Sequence, residues 1–143
     1  MQGFRRLLLA VLALASGQGI ASVFSDMIVL GDSLSDTGNL FILTGGTIPE
    51  PQFYYEGRFQ NGQAYSELLY DQLGLPGTLT PSLAGGGNYS FGGARSRYHV
   101  TDLDPATGLP PSPGNYPTPL SLLGQLGNYQ TTVNGIADPD ALY

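Results

Sequence analysis

Apolar residues are unevenly spread along the chain, and each grouping predicts a different element. Residues 7–15 form an unbroken apolar run directly behind Arg5-Arg6. A second, shorter run, Met27-Ile28-Val29-Leu30, is bounded by Asp26 and Gly31. Four apolar residues between turn formers predict a short buried strand. From residue 62 to 73 the pattern changes to helical spacing, with Tyr65, Leu68, Leu69 and Leu73 on one face. That spacing predicts an amphipathic helix packed along the stripe, with Asn61 as N-cap and Gly74 as its stop before Pro76. Asn88-Tyr89-Ser90-Phe91 predicts a second strand, closed by Gly92-Gly93. Leu122, Leu126, Tyr129 and Val133 predict a last helix opening near Thr118-Pro119. Ala141-Leu142-Tyr143 reads as the onset of a further strand. Between these elements, residues 48–56, 78–87 and 102–117 are rich in Gly, Pro and Ser and predict irregular surface segments.

Composition narrows the function classes. The chain has 143 residues, about one domain, with a formal net charge of −6. Only 11% of residues are charged, against about 25% in an average soluble domain, and all five basic residues are arginines. An acidic chain without lysine offers no electrostatic footprint for nucleic acid. The absence of cysteine excludes a disulfide framework, a thiolate metal site and a Cys nucleophile. No metal-ligand cluster is visible, so no metal or cofactor is expected. The triple glycine Gly85-Gly86-Gly87 lacks the Gly-Lys-Ser/Thr that a phosphate loop needs, which leaves a phosphate-binding protein as a distant alternative.

The first run is an address. Arg5-Arg6, the apolar stretch 7–15 and the small-x-small triplet Gly19-Ile20-Ala21 fit a signal peptide over 1–21, with cleavage near Ala21. The stretch is too short to span a bilayer, and no stable membrane anchor is expected. The reading places the mature chain, 22–143, in the periplasm or outside the cell.

Candidate chemistry sits after the first strand, at Gly31-Asp32-Ser33-Leu34-Ser35-Asp36-Thr37-Gly38-Asn39. By spacing alone, Ser33-Leu34-Ser35-Asp36 also fits a helix start, with Ser33 as N-cap and Asp36 reaching back to its N–H. The stretch is neither a Gly-x-Ser-x-Gly elbow nor a calcium loop. It resembles the opening motif of the GDSL family of SGNH hydrolases in its longer Asp-Ser-Leu-Ser-Asp-x-Gly-Asn form. Gly57-Arg58-Phe59-Gln60-Asn61-Gly62, followed by a helix and Leu73-Gly74-Leu75-Pro76, is similar to secreted members of that family. The resemblance implies a three-layer α/β/α, flavodoxin-like fold with a parallel sheet. It implies Ser33 as nucleophile, with Gly31, Asp32, Asp36 and Asn39 as supporting motif residues. It also implies an oxyanion donor at Gly93, or at Gly92 if the register slips by one.

A serine nucleophile needs a base oriented by a third group. The one histidine, His99, precedes Asp102, whereas the family's motif is Asp-x-x-His. Neither that motif nor the family's Gly-x-Asn-Asp occurs in the sequence. The chain is therefore expected to be the N-terminal portion of an exported serine ester hydrolase, inactive as it stands, that takes a small ester or lipid substrate. The alternative is a noncatalytic secreted module that binds a lipid or glycan in the remnant pocket. If the leader is a signal peptide, mass spectrometry of the exported protein should find Ser22 at or near its amino terminus; an intact Met1 on cytoplasmic material would contradict it.

Overall fold

The computed structural model describes residues 23–96 and 121–143. The leader, Arg97, His99, the Pro-rich stretch 102–117 and Thr118-Pro119 lie outside the described residues. Three α-helices are present among them: α1 (Asn39–Leu43), α2 (Tyr65–Gln72) and α3 (Leu122–Thr132), with a 3₁₀ turn at Ser82–Ala84.

Three extended segments run side by side, around residues 27–29, 88–91 and 141–143. The Val29 N–H donates to Gly87 O at 2.9 Å, and Tyr89 N–H returns to Val29 O at 2.7 Å. On the other flank, Ile28 N–H donates to Leu142 O at 2.8 Å and Leu142 N–H to Asp26 O at 2.9 Å. Met27 with Leu142, Val29 with Asn88 and Pro81 with Asn88 all pair in the parallel sense. The first strand of the sequence thus lies between the other two, with Met27 and Val29 inward. Met27, Val29, Tyr70, Leu75 and Leu79 form the core, flanked by Phe24, Leu73 and Leu142. The pairings remain isolated bridges, and the described residues contain no continuous sheet.

The ladder misses a rung for an identifiable reason. In a parallel pair, the next bond after Tyr89 N–H to Val29 O would run from Gly31 N–H to Tyr89 O. Instead the Gly31 N–H donates to the side-chain oxygen of Gln125, at 2.8 Å. A side chain replaces the strand at that point.

Both longer helices are rotated from the faces their leucines suggest. In α2 the buried positions are Ser66, Glu67 and Tyr70, whereas Tyr65, Leu68 and Leu69 are exposed. Polar contacts decide the rotation. Glu67 receives Arg58 through two bonds, Nη2 to Oε1 at 2.5 Å and Nε to Oε2 at 3.2 Å. Its Oε2 also accepts the Ala64 N–H at 2.7 Å, which starts the helix at Ala64 rather than at Asn61. Tyr70 donates its hydroxyl to Pro76 O at 3.0 Å. Gly74 ends the helix, in the left-handed region at φ 67°.

Helix α3 likewise turns Gln125, Gly127 and Tyr129 inward and leaves Leu122 and Leu126 exposed. Its cap is Ser121, whose hydroxyl accepts the Gly124 N–H at 3.2 Å. A serine oxygen in that position satisfies a free donor of the first turn.

Tyr129 is 5% exposed and packs edge-on against both Tyr89 and Tyr143. Tyr143 donates to Asp138 O at 2.7 Å, so the 2.8 Å contact between the two hydroxyls uses the Tyr129 proton. Burial, then the bond to Tyr143, pushes the Tyr129 phenol from 10.0 up to about 12. The unfolded chain gives up this proton first, so the phenol's contribution is complete below pH 10 and is lost as the pH rises through about 12. Urea midpoints measured across that window should fall with pH. Tyr129→Phe should start lower by about 1 kcal/mol and show a flatter fall.

Candidate active site

The residues after the first strand form a single tight turn, set by Asp32. Its carbonyl accepts the N–H groups of Ser35 at 3.1 Å and Asp36 at 3.0 Å, while its side chain accepts Leu34 N–H at 3.0 Å. Asp32, not Ser33, therefore caps this turn, and α1 begins only at Asn39. Ser33 is half-buried on the turn, and among the described residues neither its hydroxyl nor its N–H has a hydrogen-bond partner.

Asp36 is fully buried. Its Oδ1 accepts the N–H groups of Gly38 at 2.8 Å and Asn39 at 2.6 Å; Oδ2 accepts those of Leu40 at 3.2 Å and Gly92 at 2.8 Å. Three of these donors belong to the start of α1, where a carboxylate is favoured by the free N–H groups. The fourth comes from the end of the second strand. Burial raises the carboxyl above its ordinary value of 3.8, and the four N–H donors pull the other way.

Asn39 completes the brace. Its amide donates to Asn88 O at 2.8 Å and Ser90 O at 2.9 Å, and its oxygen accepts Leu83 N–H at 3.0 Å. Asn88 in turn donates to Ser35 O at 2.7 Å. Asp36, Asn39 and Asn88 are all at 0% exposure, so the serine turn is joined to the second strand through a buried polar layer.

The two glycines at the end of that strand have different duties. The Gly92 N–H is held by Asp36, and a Cβ there would run into the Phe59 ring and approach Leu40 at 2.9 Å. Gly93 is exposed, sits at φ 79° with open space where a Cβ would go, and its N–H has no partner among the described residues. Both strand ends border one cavity of about 380 Å³, lined by Gly31, Asp32 and Ser35 on one side and Ala94 and Arg95 on the other. Tyr65 closes a third wall, its hydroxyl accepting from Ser35 Oγ at 3.2 Å.

Arg58-Phe59-Gln60 buttresses this arrangement. Arg58 anchors on Glu67, Phe59 lies against Gly92, and Gln60 donates to Leu34 O at 2.9 Å, above the serine turn. Gln125, which holds Gly31, carries no signal in the sequence. His99 lies outside the described residues. Among the described residues there is no group of side chains suited to a metal ion, and no helix is long and apolar enough to cross a membrane.

Comparison with known proteins agrees with the motif. The family model for GDSL-like lipase/acylhydrolase matches residues 27–143. A phosphatidylcholine-sterol acyltransferase of Aeromonas hydrophila is 42% identical over 64 residues, which is 45% of this chain and 18% of the relative. A thermolabile hemolysin of Vibrio parahaemolyticus serotype O3:K6 (strain RIMD 2210633) is 40% identical over 50 residues, 35% of this chain and 12% of the relative. The aligned part is thus under a fifth of either relative's length.

The contrast between the glycines is testable by stability alone. Gly92→Ala should cost about 3 kcal/mol or more, because a ring and the Asp36 bond must both move. Gly93→Ala should cost about 1–2 kcal/mol, the left-handed backbone being its main penalty. Urea titration of both variants measures the difference, and equal losses would refute the division of duties.

Proposed function

The chain belongs to the GDSL-like lipase/acylhydrolase family, and from that premise we propose that it is an exported ester hydrolase in which Ser33 is the nucleophile. Membership supports ester hydrolysis or acyl transfer at the level of the family. The observation that carries the finer reading is the set of polar groups that have no partner among the described residues at the two strand ends. They are the Ser33 hydroxyl, the Ser33 N–H and the Gly93 N–H.

In this reading the Ser33 oxygen attacks the acyl carbonyl while the N–H groups of Ser33 and Gly93 receive the oxyanion. Such donors act on charge that appears only as the bond forms, which makes them effective in the transition state. The proton passes to a histidine and then to the leaving alcohol, and water releases the acyl group. The family supplies that histidine from an Asp-x-x-His motif, which His99 does not match. We therefore take the base to be a residue other than His99, matched to that motif. Transfer to an alcohol instead of water would make the same site an acyltransferase, as the name of the Aeromonas relative describes for that protein.

The three-layer α/β/α arrangement over residues 22–143 is part of the proposal. It is supported by the parallel sense of the bridges on both sides of the first strand. The substrate class is a small ester or lipid, with no cofactor.

Hydrolysis of short-chain nitrophenyl esters tests the assignment. The chain as written should turn over negligibly, and a version extended to a downstream Asp-x-x-His should be active. In the active form Ser33→Ala should lower kcat by about 10³-fold or more, while His99→Ala should leave it largely intact. Turnover by the 143-residue chain that vanishes with His99→Ala would make His99 the base and overturn this part of the reading.

A further inference from the structure

Along the inward face of α3, Ser121, Gln125 and Tyr129 recur every four residues, and each engages one of the two strand ends. Ser121 pairs with Arg95 in the parallel sense, and the neighbouring Leu122 N–H donates to Arg95 O at 2.9 Å. The Tyr129 ring meets Tyr89 at 5.5 Å. Between them, Gln125 is at 0% exposure and grips both backbone groups of one residue. Gly31 N–H donates to its oxygen at 2.8 Å, and its amide donates to Gly31 O at 2.7 Å.

A primary carboxamide has an acceptor and a donor side by side, as a peptide strand does, so it extends the ladder by one rung. The same Gly31 carbonyl also accepts Phe91 N–H at 3.3 Å. One peptide oxygen is therefore shared by α3 and the second strand. Ser33 lies two residues past Gly31, and Gly93 two past Phe91. Only the φ and ψ angles of the residues between can absorb a shift at this junction before it reaches either.

We propose that Gln125 is a positioning residue. Its carboxamide sets where the Ser33 hydroxyl stands relative to the Gly93 N–H, and so how well the oxyanion donors meet the attacked carbonyl. The inference rests on the reading of Ser33 as nucleophile. Its chemistry excludes close substitutes. Methionine fills the volume but leaves the Gly31 N–H unpaired. A glutamate carboxylate accepts that N–H and turns a second oxygen against the Gly31 carbonyl. Protonated glutamic acid has the donor and acceptor of the carboxamide.

The test uses the product of the native gene, its Gln125→Met, Gln125→Glu and Ser33→Ala forms, a nitrophenyl ester, and hydrogen exchange followed by mass spectrometry. Gln125→Met should lower kcat about 10²-fold with KM changed less than twofold, the loss expected of a misplaced reacting group. Exchange should quicken at residues 31–36 and 92–94 together while α2 stays protected. The Gln125→Glu to parent ratio of kcat, and of exchange at 31–36, should recover as the pH is lowered and the acid form fills. A Gln125→Met form with parental kcat would overturn the proposal. Uniform loss of protection through α2 would also overturn it, showing a general stability role. If parent and Ser33→Ala turn over equally, the nucleophile reading has failed. Exchange then decides alone: linked quickening at both strand ends, with Gln125→Glu recovering at low pH, supports Gln125 as their clamp, and unchanged exchange refutes it.

Discussion

Much of this molecule depends on one carboxylate. Asp36 gathers four N–H groups from two parts of the chain that no sheet hydrogen bond joins directly, the start of α1 and the end of the second strand. A five-residue helix has too few internal bonds to be stable alone. Here its free donors are consumed by a buried acceptor, and the same acceptor fixes Gly92. Leaving any of these groups unpaired in a buried layer would cost about 1–3 kcal/mol each. Sharing one acceptor links their fates: the helix cannot fray without loosening the strand end, and the strand end cannot shift without exposing the helix.

That coupling explains a division of labour in the Gly92-Gly93 pair. Gly92 is committed to the framework by its N–H and by the ring that occupies the space over its α-carbon. Gly93, beside it, has no partner for its N–H among the described residues. The turn at Ser33 shows the same separation. Asp32 closes it, Asp36 anchors it, and among the described residues the serine between them has no hydrogen bond to break before it could react.

The sequence made the short-range parts legible. The glycine stop at Gly74 follows from local chemistry and stands where the pattern predicts, while the first apolar run forms isolated parallel bridges rather than a continuous strand. Helix faces were harder, because the hydrophobic period assumes that burial follows apolarity. In α2, Glu67 goes inward because Arg58 and the Ala64 N–H meet it there; in α3, Gln125 goes inward because Gly31 offers both of its backbone groups. A buried, fully paired polar residue has no signature in a hydrophobic pattern. That Asp36 holds the Gly92 N–H and not that of Gly93 was illegible for the same reason, since a distant carboxylate leaves no local mark. The Arg58-Phe59-Gln60 segment was visible as a motif, yet its work as a buttress appears only with Glu67, Gly92 and Leu34 around it.

The bond between Gln125 and Gly31 spans 94 positions of sequence, and this has a consequence in time. Asp32 and Asp36 close their contacts to residues 34–40 within a few positions, so that part of the turn can form almost as soon as it is synthesised. Docking of α3 must close a far longer loop and bear its entropy. The two kinds of contact that meet at this turn therefore differ in what they cost the chain: the carboxylate bonds close short loops, and the Gln125 bond closes one of 94 positions.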